Sequence, residues 1–474
     1  MECFVVYRDE IEGRIDPFYY KPEFREIDRK IKQGRFKVKR FNELNVEIRK
    51  GIFNLHSKDY KKEGVPFIRI SNIEDGTLNF KDIVFISEDD NEKEKRTQLL
   101  PGDLVFSKIG TIDRVGIIPY KFKRYNMSQN IIGVKLKNLN RKEIDPQYLR
   151  IFFLLEIGKI QLKREATFQV QPKLTLDGLR KIKIILPPLQ IQNHIVQLMN
   201  KAYSLKKQKE TEARQLLDSI NDYVLSELGI KLPQLKDQMT FVVYAEDVKC
   251  GRLDPYYYQP KFKEVGKAIE RGKFEVKKLR ELLEKFVSGQ RPKGGVRQIK
   301  EGIPSLGGEH ILDDGTITTS DLKYIPIEFH KKQLKSKVKK KDILLVKDGA
   351  TTGKIGIIPE DYPFEEANIN EHVFLLRVKK EINPYYVFSI LKSPIGQMQI
   401  KRNITGGTIM GIIRETTEKI KIPLPPLEIQ NKIAEEVKRR MEKAEQLQKE
   451  AKEVLERAKQ EVENIILNGE SHEN

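Results

Sequence analysis

The stretch RIDPFYYKPEFREIDRKIKQGRFKVKRFNEL, residues 14–44, recurs as RLDPYYYQPKFKEVGKAIERGKFEVKKLREL at residues 252–282. The two stretches are identical at 15 of 31 positions and lie 238 positions apart. LPPLQIQNHI (186–195) and LPPLEIQNKI (424–433) are identical at 8 of 10 positions and have the same 238-residue offset. Self-similarity at a fixed offset predicts a chain built from two copies of one structural unit.

The segments between these landmarks share a frame but few residues. GVPFIRISNIEDGTL (64–78) corresponds to GIPSLGGEHILDDGTI (302–317), and REATFQVQPKLTLDGLRKIKI (164–184) corresponds to RNITGGTIMGIIRETTEKIKI (402–422). Similar frames with dissimilar inserts predict one scaffold that presents two different recognition surfaces. Ordinary drift after a duplication is the alternative explanation.

Each copy is expected to fold as an α+β domain. Asp16 and Asp254 each precede a proline, which favours an N-capped helical turn with proline at its first position. Segments such as VFSKIG and VGIIP in the first copy, and DILLVKDG and IGIIP in the second, are apolar runs between glycine and proline and predict strands. Asp145 and Asn383 precede further prolines and predict one helix in each copy, ending near Gln161 in the first copy and near Gln399 in the second.

Two long stretches without proline or glycine follow the LPPL segments. Residues 190–228 end at Gly229 and residues 428–468 end at Gly469, so each stretch predicts a long helix with a glycine C-cap. A helix of about 39 residues spans roughly 58 Å. The heptad rhythm of apolar residues predicts that the two helices pair as an antiparallel coiled coil, the alternative being two separate surface helices. The predicted seam and partner-binding residues are Ile195, Leu198, Leu205, Leu216, Ile433, Val437, Leu447 and Val454.

The charge of the chain favours a polyanionic partner. Lys and Arg number 88 against 69 Asp and Glu, a formal net charge of +19 with a pI near 9.4. Such a surplus favours nucleic acid, because cations that neutralise phosphates release counterions, although membrane headgroups or tRNA would also satisfy it. Two cysteines, no run of 18 apolar residues and the start MECFVVYRDE predict a protein of the cytoplasm without disulfides or a spanning helix.

The motifs together resemble those of the specificity subunits of type I restriction–modification enzymes, and the resemblance covers the whole chain. LPPLQIQNHI and LPPLEIQNKI resemble the family's PLPP-x-x-EQ-x-x-I junction, with Ile191 and Ile429 where Glu is more usual. VSGQRPKGG (287–295) resembles the Ser-Gly-x-x-Pro opening of a target-recognition domain, whereas the first copy has GIFNLHSKD there and lacks the proline. GDLVFSKIGTIDRVGI and MSQNIIGVKL also resemble family segments.

The resemblance implies an α+β fold with two target-recognition domains in pseudo-twofold tandem repeat, separated by the two long helices. Each domain would read one half of a bipartite DNA site, and the paired helices would set the spacing. The chain would bind double-stranded DNA, two methyltransferase (modification) subunits and restriction subunits, which would hold S-adenosylmethionine, ATP and Mg. The implied organisation is a first domain at 1–188, a first helix at 189–229, a second domain at 230–426, a second helix at 427–468 and a tail at 469–474.

The candidate DNA-binding residues have side chains that match base edges, namely Arg or Lys for guanine and Asn or Gln for adenine. Contact with phosphate or with solvent alone is the alternative for each of them. In the first copy they are Lys108, Arg114, Gln129, Asn130, Arg164, Gln169, Gln171 and Lys173. In the second copy they are Arg291, Lys293, Arg297, Lys347, Lys354, Asn368, Asn370, Arg402 and Asn403.

No motif predicts a catalytic site or a metal site in this chain. GATTGK (349–354) has one residue too few between its glycines for a P-loop, and Ile355 follows where Ser or Thr is needed. NPYY (383–386) lacks the second proline of an amino-methyltransferase motif and is better explained as a helix start. The six histidines show no zinc-ligand spacing. We therefore expect a non-catalytic subunit; the alternatives are a coiled-coil scaffold without DNA specificity and a nucleic-acid-modifying enzyme.

Overall fold

The computed structural model describes residues 4–8, 11, 14–74, 76–168, 171–233, 236–248, 252–296, 299–406 and 410–469. The chain forms two units. The first is made of the chain up to Gln208 together with the segment from Glu450, and the second is made of Lys209–Lys449. Each unit therefore combines one copy of the repeat with parts of both long helices, and the linear domain boundaries stay a prediction.

The first unit mixes helices with short strands. Its helices are α1 (Pro22–Gln33), α2 (Glu88–Lys93), α3 (Pro146–Leu154), α4 (Glu156–Glu165), α5 (Leu176–Lys181) and the first half of α6 (Leu189–Glu227). Its strands are β1 (Lys37–Arg40), β2 (Glu47–Lys50), β3 (Val65–Ile68), β4 (Ile73–Glu74), β5 (Thr77–Leu78), β6 (Val84–Ile86), β7 (Leu104–Ser107), β8 (Val115–Ile117), β9 (Asn126–Met127), β10 (Ile131–Lys135), β11 (Thr167–Phe168), β12 (Pro172–Lys173) and β13 (Lys183–Leu186).

The core of the first unit lies between an antiparallel sheet, in the order β2-β10-β7-β8, and α3. The ring of Phe153 on α3 packs edge-on against Phe106 of β7 and against Phe41, with centroids 4.8 and 5.1 Å apart. A second sheet has the order β6-β3-β9, in which β3 and β9 are parallel. Strands β1 and β13 pair beside α1, so the beginning and the end of the first copy are held together.

The second unit repeats most of these elements in the same order. Its helices are α7 (Pro260–Glu270), α8 (Leu279–Leu282), α9 (Ile327–Lys332), α10 (Pro384–Lys392), α11 (Pro394–Asn403), α12 (Arg414–Thr417) and the first half of α13 (Leu427–Asn468). Its strands are β14 (Val276–Lys278), β15 (Leu283–Ser288), β16 (Ile303–Leu306), β17 (Lys323–Ile325), β18 (Ile343–Val346), β19 (Ile355–Ile357), β20 (Asn368–Ile369), β21 (Val373–Val378) and β22 (Lys421–Pro423).

The sheets of the second unit have the topology of the first. Strands β15-β21-β18-β19 form the antiparallel sheet, β17-β16-β20 contains the parallel pair β16–β20, and β14 pairs with β22. A buried tyrosine makes the same bond in both units: Tyr148 Oη donates to the carbonyl of Ile185, and Tyr386 Oη donates to that of Pro423. The predicted duplication and the α+β class are confirmed.

The two long helices pack against each other within each unit. In the second unit, Arg440 Nη1 donates to the carbonyl of Ser219 at 2.8 Å and Lys432 Nζ donates to Glu227 at 3.0 Å. Residue numbers rise along one helix while they fall along the other, so the pairing is antiparallel, as predicted. The side chains buried between the helices here include Ala213, Ile220, Val224, Ile433, Val437, Ala444 and Leu447.

In the first unit, the start of α6 packs on the end of α13 within one hydrophobic cluster. Ile195, Met199 and Ala202 are buried with Leu455, Ala458, Val462 and Ile465. Glu463 of α13 accepts a hydrogen bond from Ile157 N at the start of α4 at 2.8 Å, and burial raises the pKa of this carboxyl. Both helices are too polar to cross a membrane, and this holds for every helix in the part of the chain that the structure describes.

The buried seam drifts from the strict heptad positions. Ile195, Ile433, Val437 and Leu447 are buried, whereas Leu198, Leu216 and Val454 are half-buried and Leu205 is 37% exposed. Burial passes to the neighbouring Met199 and Leu455. A straight helix with 3.6 residues per turn drifts about 20° per heptad against a seven-residue repeat, which moves the contact stripe by one residue over these lengths.

The helix predicted to begin at Asp145 is two helices. Asp145 caps α3 through Gln147 N, but α3 ends at Leu154 and α4 continues to Glu165, beyond the predicted end at Gln161. The extended residue Leu155 makes the corner. Gly158 permits the tight packing there, since a Cβ on it would lie 2.3 Å from the carbonyl oxygen of Phe152. The prediction of a single helix was wrong in both copies, because α10 ends at Lys392 and α11 runs from Pro394 to Asn403, beyond the predicted end at Gln399.

The predicted caps are confirmed elsewhere. Asp16 and Asp254 each accept a hydrogen bond from the backbone of a following tyrosine, at 3.2 and 2.9 Å. They cap short 3₁₀ turns, Pro17–Tyr20 and Pro255–Tyr258. Gly229 ends α6 in the left-handed region with φ of 65°. The aspartate caps thus lie near the start of the repeated segment in each copy, and Gly229 marks the end of α6.

Candidate nucleic-acid interface

Three loops of the first unit meet at one end of the sheet β2-β10-β7-β8. Lys108 N donates to the carbonyl of Asn130 at 2.9 Å, Leu174 N donates to that of Lys108 at 2.9 Å, and Gly110 N donates to that of Pro172 at 3.0 Å. These bonds join segments that are far apart in the sequence. The predicted residues that lie on these loops are Lys108, Arg114, Gln129, Asn130, Gln171 and Lys173.

Positive charge is concentrated on these loops. Partial burial, together with the neighbouring ammonium groups of Lys50 and Lys173, lowers the pKa of Lys108 to about 8. Lys108 Nζ donates to the carbonyl of Gln129 at 3.2 Å, which fixes its position beside that loop. Cations held this close repel one another, so an anion placed between them would be stabilised.

Two residues of this surface were missed by the sequence analysis. Lys50 ends β2, and its Nζ lies 5.2 Å from the ring centroid of Phe53, whose side chain is 64% exposed. Gly51 between them is required by packing, because a Cβ there would lie 2.1 Å from the carbonyl oxygen of Ser128. The internal repeat could have revealed this segment, because Gly51 aligns with Gly289, the glycine of the Ser-Gly-x-x-Pro segment in the second copy.

The same three loops meet in the second unit. Lys347 N donates to the carbonyl of His372 at 2.9 Å, Ile412 N donates to that of Lys347 at 2.7 Å, and Gly349 N donates to that of Met410 at 3.1 Å. A Cβ on Gly289 would lie 2.2 Å from the carbonyl oxygen of Asn370, as at Gly51. The predicted residues on these loops and on the adjoining segment after β15 are Lys347, Asn370, Arg291 and Lys293.

The charges of the second surface alternate in sign. Arg291 Nε lies 3.1 Å from Glu371 Oε1. His372 Nδ1 is bonded to the carboxylate of Asp348, which is 3.8 Å from Lys347 Nζ. Carboxylates accept hydrogen bonds, so this surface offers acceptors as well as donors to a base edge. The sequence analysis missed Asp348, His372 and Glu371 because it considered only donors and amides.

The other candidates lie elsewhere or have other partners. Arg164, Arg402 and Asn403 end α4 and α11, in cavities beside the first helix of each unit. Lys354 Nζ is 2.7 Å from Asp313 Oδ1, so the lysine of the GATTGK segment lies in a turn and forms an ion pair. Gln169 and Arg297 lie outside the described residues.

Asn368 is only 1% exposed. Its amide donates to the carbonyl of Gln333 at 3.0 Å and to Ser336 Oγ at 2.7 Å, and its oxygen contacts His330. Asn126 has the same place in the first unit, where it is buried and bonded to Thr97 and Asn91. The shared arrangement explains both residues as structural.

The glutamine of each LPPL-x-IQ segment anchors a long helix to its domain. Gln192 Nε2 donates to the carbonyls of Glu143 and Pro187, both at 2.8 Å, and its oxygen accepts from Asp145 N at 2.9 Å. Gln430 does the same with the carbonyl of Pro425 at 2.8 Å and Asn383 N at 3.1 Å. Both glutamines are buried, so the start of each long helix is fixed relative to its domain.

This arrangement defines a class of protein: two homologous α+β domains with differing polar loop surfaces, each followed by a long helix whose start is hydrogen-bonded to its domain. The chain belongs to the type I restriction modification DNA specificity domain family, whose model matches residues 35–215 and 271–457. The prediction of a non-catalytic specificity subunit agrees with this family. Among the described residues, no group of three His, Cys, Asp or Glu side chains is placed to hold a metal ion.

Individual relatives are similar over most or part of the chain. A putative type I restriction enzyme specificity subunit, MjaX of Methanocaldococcus jannaschii, is 24% identical over 95% of this chain and 97% of its own length. The EcoBI specificity subunit of Escherichia coli is 28% identical over 35% of each chain. The crystal structure of the type I restriction-modification S subunit from M. genitalium superimposes with a TM-score of 0.42 at 13% identity, over 92% of this chain and 95% of that one.

Proposed function

We propose that this chain is the DNA-specificity subunit of a type I restriction–modification complex, and that each α+β domain reads one half of a bipartite DNA site. One observation carries the proposal: the same three loops meet in both units but present different polar side chains. Two reading surfaces on one scaffold match two unlike half-sites. A coiled-coil scaffold without DNA specificity would not require the surfaces to differ.

The test is the methylated motif of a complex made with single substitutions. Lys108→Ala should relax one base position of one half-site, and Lys347→Ala should relax a position of the other half-site, each at a cost of about 1–3 kcal/mol. Sequencing of methylated genomic DNA from cells that express each variant gives the two motifs. Motifs that stay unchanged, or two variants that alter the same half-site, would contradict the proposal.

The paired helices set the distance between the half-sites in this proposal. Removing or adding seven residues in both helices changes their length by about 10 Å, which corresponds to about three base pairs. Gln192 and Gln430 support this role, because they fix each helix to its domain. A matched heptad insertion in α6 and α13 should lengthen the spacer of the methylated motif and leave both half-sites unchanged.

Specificity subunits of type I systems assemble with other subunits and bind DNA. We extend this to two methyltransferase subunits, and to restriction subunits that join the assembly, with S-adenosylmethionine, ATP and Mg held by these partners. Leu198, Leu205 and Val454 support a docking surface, since they line a groove on the helix pair of the first unit. Leu205→Asp should weaken copurification of the methyltransferase subunit and leave the unfolding temperature unchanged.

A further inference from the structure

Both units build the same stack of two arginines on one tyrosine. In the first unit, Arg14 and Arg164 lie over the ring of Tyr19, with Cζ 4.6 and 4.1 Å from its centroid. Arg164 Nε donates to the carbonyl of Tyr19 at 3.3 Å, and its Nη1 binds the carboxylate of Asp28 on α1. Lys183 Nζ binds the other oxygen of Asp28 at 2.6 Å.

In the first unit, the carboxylate of Asp28 lies in the cavity beside α1 and is the anionic partner of Arg164 and Lys183. Burial alone would raise its pKa, but the hydrogen bonds and charges of Lys183 and Arg164 outweigh burial and lower it. Asp28 therefore stays ionised. Glu165 is a second, buried carboxyl in the same cavity, and burial raises its pKa.

The second unit keeps the stack but not these two acids. Arg252 and Arg402 lie over the ring of Tyr257, with Cζ 4.3 and 4.2 Å from its centroid. Arg402 Nε donates to the carbonyl of Tyr257 at 3.2 Å, as in the first unit. Gly266 stands in place of Asp28 and Asn403 in place of Glu165, at the same 238-residue offset.

No other described residue supplies the missing carboxylate to Arg402. A Cβ on Gly266 would have no heavy atom within 4 Å, so the place of the Asp28 side chain is open. Arg402 forms no ion pair within the described part of the chain, whereas its neighbour Lys421 is paired with Glu270. Arg402 thus lines a cavity of about 400 Å³ without an acidic partner among the described residues.

The charges that line this cavity favour an anion. The cations equivalent to Arg14, Arg164, Lys181 and Lys183 of the first unit are retained as Arg252, Arg402, Lys419 and Lys421. Three of these cations have acidic partners: Arg252 is paired with Asp254, Lys421 with Glu270 and Lys419 with Glu415. Arg402 is the member of this set that forms no ion pair among the described residues, so it is the cation available to an anion. A guanidinium with both Nη groups available binds a phosphate in a bidentate manner.

We infer that this cavity of the second unit binds a backbone phosphate of DNA, with Arg402 as its principal ligand. The inference rests on the proposed function. The cavity is lined by Thr405 and Ile413, which flank the loop whose Met410 carbonyl accepts from Gly349 N on the candidate DNA surface. One loop thus borders both sites, and phosphate contacts commonly fix the register of a protein on the duplex. The first unit carries its own carboxylate at this place.

The test is Gly266→Asp, which gives the second unit the carboxylate of the first. Its Kd for DNA should rise roughly fivefold for target and unrelated duplexes alike, and the slope of log Kd against log salt should fall by about one. The methylated motif should not change. Gly266→Asn is the matched control without charge and should bind DNA as the wild type does.

Three outcomes overturn the inference. Gly266→Asp could bind both duplexes with unchanged affinity and salt dependence. It could instead weaken copurification of the methyltransferase subunit alone, which would assign the cavity to an acidic group of a protein partner. It could alter the methylated motif, which would assign the site to base recognition. Failure of the proposed function is seen separately, because the wild-type chain would then fail to distinguish target from unrelated DNA.

Discussion

The candidate DNA surfaces of the two units share a backbone and differ in chemistry. In the first, partial burial and then two other lysines, Lys50 and Lys173, lower the pKa of Lys108. In the second, Lys347 lies beside Asp348 and His372, and Arg291 pairs with Glu371. The loops are held by the same backbone hydrogen bonds in both. Backbone bonds do not depend on side chains, which explains how one scaffold tolerates divergent recognition residues.

The largest effect is expected where the two surfaces are the same. Gly51→Ala and Gly289→Ala each place a Cβ about 2 Å from a carbonyl oxygen, of Ser128 and Asn370 respectively. Each should lower the free energy of unfolding by about 3 kcal/mol and displace the loops of its own unit. Thermal unfolding and the methylated motif measure the two effects.

The control for this prediction is Gly266→Ala, where a Cβ meets no atom within 4 Å. Alanine in a helix is favoured over glycine by up to about 1 kcal/mol, so this variant should be as stable as the wild type or more so. Comparable losses at Gly266 and Gly51 would show that any side chain in place of glycine is damaging, and would contradict the packing argument.

A smaller difference between the units is expected at the helix anchors. Gln192→Leu leaves three partly or fully buried backbone groups without a partner, whereas Gln430→Leu leaves two, Pro425 O and Asn383 N. Each unsatisfied buried group costs about 1–3 kcal/mol, so Gln192→Leu should be the more damaging. Denaturant unfolding of both variants gives the order. An equal loss would mean that Glu143 O finds another donor.

The sequence predicted the repeated fold well, because caps and periodicity are local. Asp16, Asp254 and Gly229 act as predicted. The breaks at Leu155 and Ser393 were both missed, because apolar residues continue across each corner, although Pro394 marks the second one. The pairing of strands that lie far apart in the sequence was harder to predict than the helices and their caps.

The residues of the candidate DNA surface were predicted only in part, because strand pairing between distant segments brings some of them together. Lys50 joins Lys108 only through the pairing of β2, β10 and β7, which no local pattern reveals. Asn368 was selected because a buried asparagine and an exposed one look alike in a sequence. Acidic residues such as Glu371 could not be recognised from the sequence, because a carboxylate on a DNA surface is not distinguished by any local pattern from a carboxylate elsewhere. Which of these residues contact bases stays a prediction.

The pH dependence of DNA binding should separate the two surfaces further. Partial burial and the neighbouring ammonium groups of Lys50 and Lys173 lower the pKa of Lys108 to about 8. The negative potential of bound DNA would raise this pKa again, so binding takes up a proton near pH 8. Affinity should therefore be highest below pH 8 and fall about threefold more between pH 7 and pH 9 than it does for Lys108→Met. Kd measurements at both pH values test this. If the wild type and Lys108→Met showed equal pH dependence, the proton taken up on binding would belong to a group other than Lys108.

The smallest effect is expected at Lys354, which takes the place of Arg114. Both residues return the chain to the sheet, through Val346 N and Ser107 N respectively. Lys354 is bound to Asp313, whose side chain is 96% exposed, and such a pair contributes about 0.5 kcal/mol or less. Lys354→Gln should leave both the unfolding temperature and the affinity for DNA nearly unchanged.

Arg114 is exposed and forms no ion pair within the described residues, so Arg114→Gln should weaken DNA binding about threefold. Fluorescence anisotropy with one labelled duplex compares the two, and a larger effect at Lys354 would mean that DNA displaces Asp313 from it.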